Sequence, residues 1–239
     1  IDEEYSSAYI NISEALIKLE KFDQAKKYLE RSLSLDGPSP EIYSCLGNVN
    51  FYLEDYSTSI SFYQKSIKID QMFKESYFGL GRSLSKLDKW FEAIHFFKKA
   101  YKIDNKNIEY VKSLAYAEFK VGNLVSSIDL YSKAVEMQPD DYKLSLDFSL
   151  IYYESGDIDK AIDIIDQAIE ESPGESLLYY RLVIYLMDAG RYKESINVLE
   201  SALSLNFDNH DVLFDFVPNF ESQSALIRVI NQFKNSGNR

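Results

Sequence analysis

The chain has 239 residues, and its 26 basic against 38 acidic side chains leave a net charge of −12. Nucleic acid and anionic lipid both need positive faces, so this balance argues against either as a partner. One cysteine and two histidines supply neither a disulfide framework nor a Cys/His metal site, and 46% hydrophobic with 15% aromatic content is too rich for a disordered chain.

Ile1-Asp2 stands 34 residues before Leu35-Asp36, which precedes Ile69-Asp70 and Ile103-Asp104 by the same step. Residues 1–5 are therefore expected to end a preceding helix, and the chain to be an excerpt from a longer array. Six 34-residue units follow, 6–39, 40–73, 74–107, 108–141, 142–175 and 176–209. Position 20 of the units reads Ala25, Ser59, Ala93, Ser127, Ala161, Ser195. Position 27 reads Ser32, Ser66, Ala100, Ala134, Ala168, Ala202, and position 8 reads Ser13, Gly47, Gly81, Ala115, Ser149, Val183. All but Val183 are Gly, Ala or Ser, where chance would supply about four such residues.

Large residues recur with the same stride. Position 24 carries Leu29, Tyr63, Phe97, Tyr131, Ile165 and Leu199, and position 17 carries Phe22, Tyr56, Trp90, Leu124, Ile158 and Tyr192. Positions 4, 7, 8 and 11 share one helical face, and 17, 20, 24 and 27 another, because each set follows i, i+3, i+4, i+7 spacing. Each unit is thus expected to be two amphipathic helices, over positions 1–14 and 18–31. Position 15 is Gly122, Gly156 and Gly190 in the later units, suited to a left-handed helix end, but Glu20, Glu54 and Asp88 in the earlier ones. Asp23, Ser57 and Asp159 are expected to cap the second helices. Residues 210–239 read as a divergent cap. His210 to Phe216 begins a further helix that Pro218 stops, and Phe220, Ala225, Leu226, Val229, Ile230 and Phe233 form another apolar stripe. Asn235 to Arg239 is expected to be a tail.

A 34-residue helix–turn–helix unit with these residues at 4, 7–8, 17, 20, 24 and 27 resembles the tetratricopeptide repeat over 204 of the 239 residues. The resemblance implies an all-α fold, a right-handed superhelical α-solenoid of antiparallel helix pairs. It also implies that positions 2, 5, 6, 9, 12 and 13 face an inner groove that binds peptide segments. Those positions supply Asn48, Phe78, Arg82, Lys112 and Tyr116, with the acids Glu41, Glu75 and Glu109, in the second to fourth units. In the fifth and sixth they supply Leu146, Leu150, Tyr153, Tyr180, Ile184 and Met187, with Asp147 and Arg181 between. The apolar members of this second group fit either burial against the C-terminal cap or a surface for a partner or a second copy. The clamp by which the family holds C-terminal carboxylates is matched here only by Lys112 and Arg181, so that ligand is not expected.

Catalytic patterns fail in turn. Gly79-x-Gly81 lacks the third glycine and the preceding strand of a dinucleotide loop and reads as helix packing. His95 has no second histidine or cysteine in register, and Cys45 has no basic neighbour to activate it. No apolar run approaches the roughly 18–20 residues of a membrane helix; the longest, Leu177 to Met187, contains Arg181. The expectation is a non-catalytic scaffold without cofactor or metal that binds a protein or peptide, with no nucleic acid and no membrane insertion. Its composition is compatible with the cytoplasm. The alternative is a regulatory or targeting region of a larger protein whose enzymatic or sensor domain lies elsewhere.

Overall fold

The computed structural model describes residues 3–216 and 223–235, with side chains from Ser7 onward. The expectations resting on Ile1-Asp2, Pro218, Phe220 and residues 236–239 fall outside the described residues, whereas Glu3 to Tyr5, expected to end a preceding helix, instead open the first helix and run on without a break to Lys18. Each regular element described is helical: α1 (Glu3–Lys18), α2 (Phe22–Asp36), α3 (Pro40–Tyr52), α4 (Tyr56–Ile69), α5 (Lys74–Lys86), α6 (Trp90–Ile103) and α7 (Ile108–Lys120). These are followed by α8 (Leu124–Met137), α9 (Tyr142–Glu154), α10 (Ile158–Glu171), α11 (Ser176–Asp188) and α12 (Tyr192–Leu205). A 3-10 turn (Phe207–Asp211) leads into the short α13 (Val212–Phe216), and α14 (Ser224–Asn235) ends the described chain.

The helices are cut to length by one repeated device. At position 15 the backbone turns left-handed in all six units, with φ of 83°, 88° and 74° at Gly122, Gly156 and Gly190 and of 58°, 61° and 56° at Glu20, Glu54 and Asp88. The amide that follows reaches back five residues, as in Lys21 to the Leu16 carbonyl (2.9 Å) and Asn123 to the Glu118 carbonyl (2.9 Å). This 6→1 closure satisfies a carbonyl that the helix end would otherwise orphan. The second helices start one residue earlier than their periodicity suggests. Their caps also lie earlier than expected: Asp55 accepts from the Thr58 amide and Asp157 from the Lys160 amide, whereas Asp23, Ser57 and Asp159 sit inside the first turn.

The chain forms two compact units, residues 1–127 and 128–239. In the first, α1 with α2, α3 with α4 and α5 with α6 pack as hairpins, each second helix packs on the next first helix, and α1, α3 and α5 touch in series. In the second, α9 with α10 and α11 with α12 pack in the same way, α9 touches α11, and α14 closes on α12.

All eighteen residues at positions 8, 20 and 27 are buried. The position-24 side chains are no more than 2% exposed. The absence of side chains opposite them is what makes room: a Cβ at Gly47 would stand 2.5 Å from the Tyr63 ring, one at Gly81 2.7 Å from the Phe97 ring, and one at Gly79 would also strike Tyr63. Gly79-x-Gly81 is therefore a packing feature. Where the small residue is serine, the hydroxyl mostly finds an acceptor nearby, as buried polar groups generally do, Ser127 being left without one among the described residues. Ser59 Oγ donates to the Gly47 carbonyl (2.9 Å) and Ser66 Oγ to the Pro40 carbonyl (2.7 Å). The first unit also buries one carboxylate, Glu118, 1% exposed. Lys98 Nζ lies 2.6 Å from its Oε1, and Asn123 Nδ2 donates to Oε2 at 2.6 Å.

Candidate functional site

Because α1, α3 and α5 touch in series, their inward positions line a groove of about 400 Å³ in the first unit. It is walled by Glu14, Ile17 and Lys18 of α1, Asn48 and Tyr52 of α3, Glu75, Phe78, Gly79 and Arg82 of α5, and Tyr110 of α7. Asn48, Phe78 and Arg82 are thus brought together.

Each polar member is held in place. Tyr63, whose ring fills the space left by Gly47 and Gly79, donates its hydroxyl to Asn48 Oδ1 at 2.7 Å. That bond leaves the Asn48 amide nitrogen as the group free to serve a ligand. Burial holds the Tyr63 phenol well above its ordinary range, so it is a fixed neutral donor. The Arg82 guanidinium lies 4.1 Å over the Phe51 ring, with Tyr52 and Phe78 each 5.8 Å away. No carboxylate among the described residues pairs with it, and none of its N–H groups has an acceptor there. Phe78 in turn packs on Tyr110 at 4.7 Å and on Phe97 at 5.8 Å. Burial, with Glu75 and Asp104 nearby, pushes the Tyr110 phenol up to about 12. Cys45 is buried beside this wall and is pushed up to about 12 by burial, with Glu14 and Glu41 adding to it, so its thiol stays protonated and inert.

The other expected groove residues lie apart from this cluster. Lys112 pairs with Glu109 at 3.4 Å, one turn away on its own helix. Tyr116, 41% exposed, meets Trp90 edge-on at 5.6 Å, and Lys120 sits over both rings. In the second unit Leu146 is partly buried against the core, and Tyr153 stacks on Tyr185 at 4.7 Å with its hydroxyl given to Asp188. The Arg181 guanidinium lies 4.0 Å over Phe216 and donates to the Tyr185 hydroxyl at 3.3 Å.

One expected groove residue must be corrected. Tyr180 is fully buried, and its hydroxyl donates to the Asn206 carbonyl at 2.9 Å. Ile184 and Met187 are buried in the same cluster, together with Leu213, Leu226 and Ile230 of the C-terminal cap. Of the two readings of this stretch, the one realised at these three residues is burial, in one cluster with residues of the cap.

Conversely, Glu14, Ile17, Lys18, Tyr52 and Tyr110 line the groove without having been singled out. The first four occupy positions 9, 12 and 13, so the positional rule was sufficient to find them. Tyr110 is at position 3 and reaches the groove only by packing on Phe78, which no pattern within its own unit signals. Among the described residues no group of three or more His, Cys, Asp or Glu side chains could hold a metal ion, and no helix is long and apolar enough to cross a membrane.

Two family models, both described as tetratricopeptide repeat, match the chain, one over residues 118–183 and the other over 6–38, 74–107 and 177–209. No curated protein matches the sequence. Among solved structures the chain is similar to pilF of Pseudomonas aeruginosa, with a TM-score of 0.73 and 14% identity over 93% of this chain and 98% of that one. It is similar to MamA, with a TM-score of 0.63 and 23% identity over 75% of this chain and 98% of the other. It also resembles YrrB, described as a TPR protein with an unusual peptide-binding site, with a TM-score of 0.61 and 18% identity over 75% and 93% of the two chains. At these identities the likeness speaks for the fold.

Proposed function

The chain belongs to the tetratricopeptide repeat family, and from that premise we propose that it is a non-catalytic protein-interaction scaffold whose first-unit groove holds a segment of a partner protein. The observation that carries this reading is a wall of pre-positioned but unused donors. Asn48 is oriented from behind by Tyr63, and Arg82 is held over Phe51, while both lack a partner on the groove side. Groups already held in one rotamer lose little entropy when a ligand arrives. Their spacing among Tyr52, Phe78 and Tyr110 suits an extended chain, whose carbonyls accept hydrogen bonds and whose side chains lie against aromatic faces. YrrB offers a precedent for peptide binding on this fold.

The test is selection of random dodecapeptides, acetylated and amidated at their ends, on the immobilised chain. The affinities of the selected peptides are then measured for wild type and for Asn48→Ala/Tyr52→Ala. Loss of binding by the double variant, with its thermal melt preserved, is expected. Equal affinity in both would put the ligand elsewhere and remove the groove reading.

A further inference from the structure

The geometry points to an extended peptide with one internal acidic side chain, bracketed by basic residues, as the occupant of the first-unit groove, the acid being read by Arg82. The inference rests on the groove reading above and specifies its ligand. Three observations on the groove carry it.

The first is the state of Arg82. A guanidinium offers five N–H donors in a planar fork and cannot be neutralised at any ordinary pH. Here it is held over Phe51 at 4.1 Å, with Tyr52 and Phe78 each 5.8 Å away, so one side of it is occupied by aromatic rings and its N–H groups are what remain for a ligand. Those groups find neither a carboxylate nor a carbonyl among the described residues, although the chain carries 38 acidic side chains against 26 basic ones. Two other arginines are used internally: Arg191 makes two hydrogen bonds to Glu194, and Arg181 lies over Phe216 and is bonded to Tyr185. Arg82 is an arginine fixed in direction with its fork unspent, and a carboxylate is the group that matches a fork bidentately.

The second observation limits the ligand to one acid. Glu14 and Glu75 line the same groove, and neither forms an ion pair with Arg82 or Lys18. A run of acidic residues or a dianionic phosphate would bring two or more negative charges against those carboxylates, whereas a single carboxylate on Arg82 with basic neighbours satisfies all three. The net charge of −12 favours the same basic flanks at longer range.

The third observation separates an internal acid from a chain terminus. The groove is walled along α1, α3 and α5 and its neighbour α7, with Asn48 Nδ2 available to a main-chain carbonyl beside Arg82. A segment that runs through the groove meets both groups. A segment that ended at Arg82 would bring a terminal carboxylate to it and leave either the α1 side or the α7 side unfilled.

The experiment reads residue preferences in the capped dodecapeptide selection, run in parallel on wild type, Arg82→Met, Arg82→Lys and Glu14→Gln/Glu75→Gln. Methionine keeps an apolar stem on Phe51 and removes only the fork and charge, and each variant is checked by its thermal melt. The expected result is an acidic residue enriched between basic ones by wild type. Arg82→Met should lose the acidic preference and weaken the selected peptide about tenfold, Arg82→Lys should recover part of it, and the double glutamine variant should lose the basic preference alone. Peptides that bind the groove but show no acidic preference, or an acidic preference that survives in Arg82→Met, would overturn the inference while leaving the groove reading intact. A second selection with the C-termini left free is run alongside, and binding confined to it would overturn the inference in favour of a terminal ligand. Binding unaffected by Asn48→Ala/Tyr52→Ala would instead remove the groove reading itself.

Discussion

At Glu20, Glu54 and Asp88 the backbone adopts the left-handed conformation that Gly122, Gly156 and Gly190 adopt at the same place in the later units. The closing hydrogen bonds are the same in both groups, so the turn geometry is imposed by the helix pair and the side chain tolerates it. An L-residue in that region is strained by roughly 1–2 kcal/mol, partly offset by the greater chain entropy that glycine loses on folding. Glu54→Gly is therefore expected to stabilise the chain by about 1 kcal/mol, seen as a higher urea midpoint with unchanged slope. A second residue-scale expectation concerns Glu118. Lys98→Met leaves a buried carboxylate with only Asn123 for company and should cost about 1–3 kcal/mol, whereas Glu118→Gln removes the charge itself and should cost less. Equal losses in the two variants would show that the ion pair is not what the site requires.

At the scale of the element, the small-residue positions decide how closely helices approach. Ala93 and Ala161 are fully buried, and Arg at either should cost several kcal/mol by forcing bulk and charge between helices that nearly touch. Wild-type melting of both variants would contradict this packing. Tyr180→Ala belongs with these core changes: it removes a fully buried ring and is expected to cost about 3–5 kcal/mol in urea unfolding, as Phe-to-Ala core truncations do. This is also where the sequence was least informative. The 34-residue stride made the helix pairs and their buried faces legible, because spacing alone fixes which side chains share a face. It could not say that Tyr180, Ile184 and Met187 would be buried, because the cluster that holds them also takes in Leu213, Leu226 and Ile230 of α13 and α14, whose sequence departs from the stride. Nor could it place Lys112 on Glu109 or free Arg82 of partners, since such pairings depend on rotamers that no repeat pattern encodes.

For the whole molecule, charge sets the response to pH. Asp55 is held below the ordinary carboxylate range by its hydrogen bond from Thr58, Asp104 by Lys74, Asp157 by Lys160 and Glu194 by Arg191. A carboxyl whose folded value lies below its unfolded one stabilises the fold above the unfolded value, near 4, and loses that contribution as pH falls through the folded value. Asp166, raised chiefly by burial, acts in the opposite sense but is one against four among the described residues. Melting temperature at about 0.15 M salt, where long-range repulsion is screened, is thus expected to be flat near neutrality and to fall below about pH 4. A rise on acidification would refute this account. Both compact units contain such carboxylates, so neither is expected to escape the loss.

Tyr63 gives the molecule a constraint of a different kind. Its ring occupies the volume that Gly47 and Gly79 vacate, and its hydroxyl sets the direction of Asn48. Interior fit and outward chemistry are therefore written in one side chain. Residues 47, 48, 63 and 79 should change as a set during divergence: a library randomised at all four together should return folded members whose choices covary, while randomising residue 63 alone should return almost only tyrosine among chains that keep their ligand.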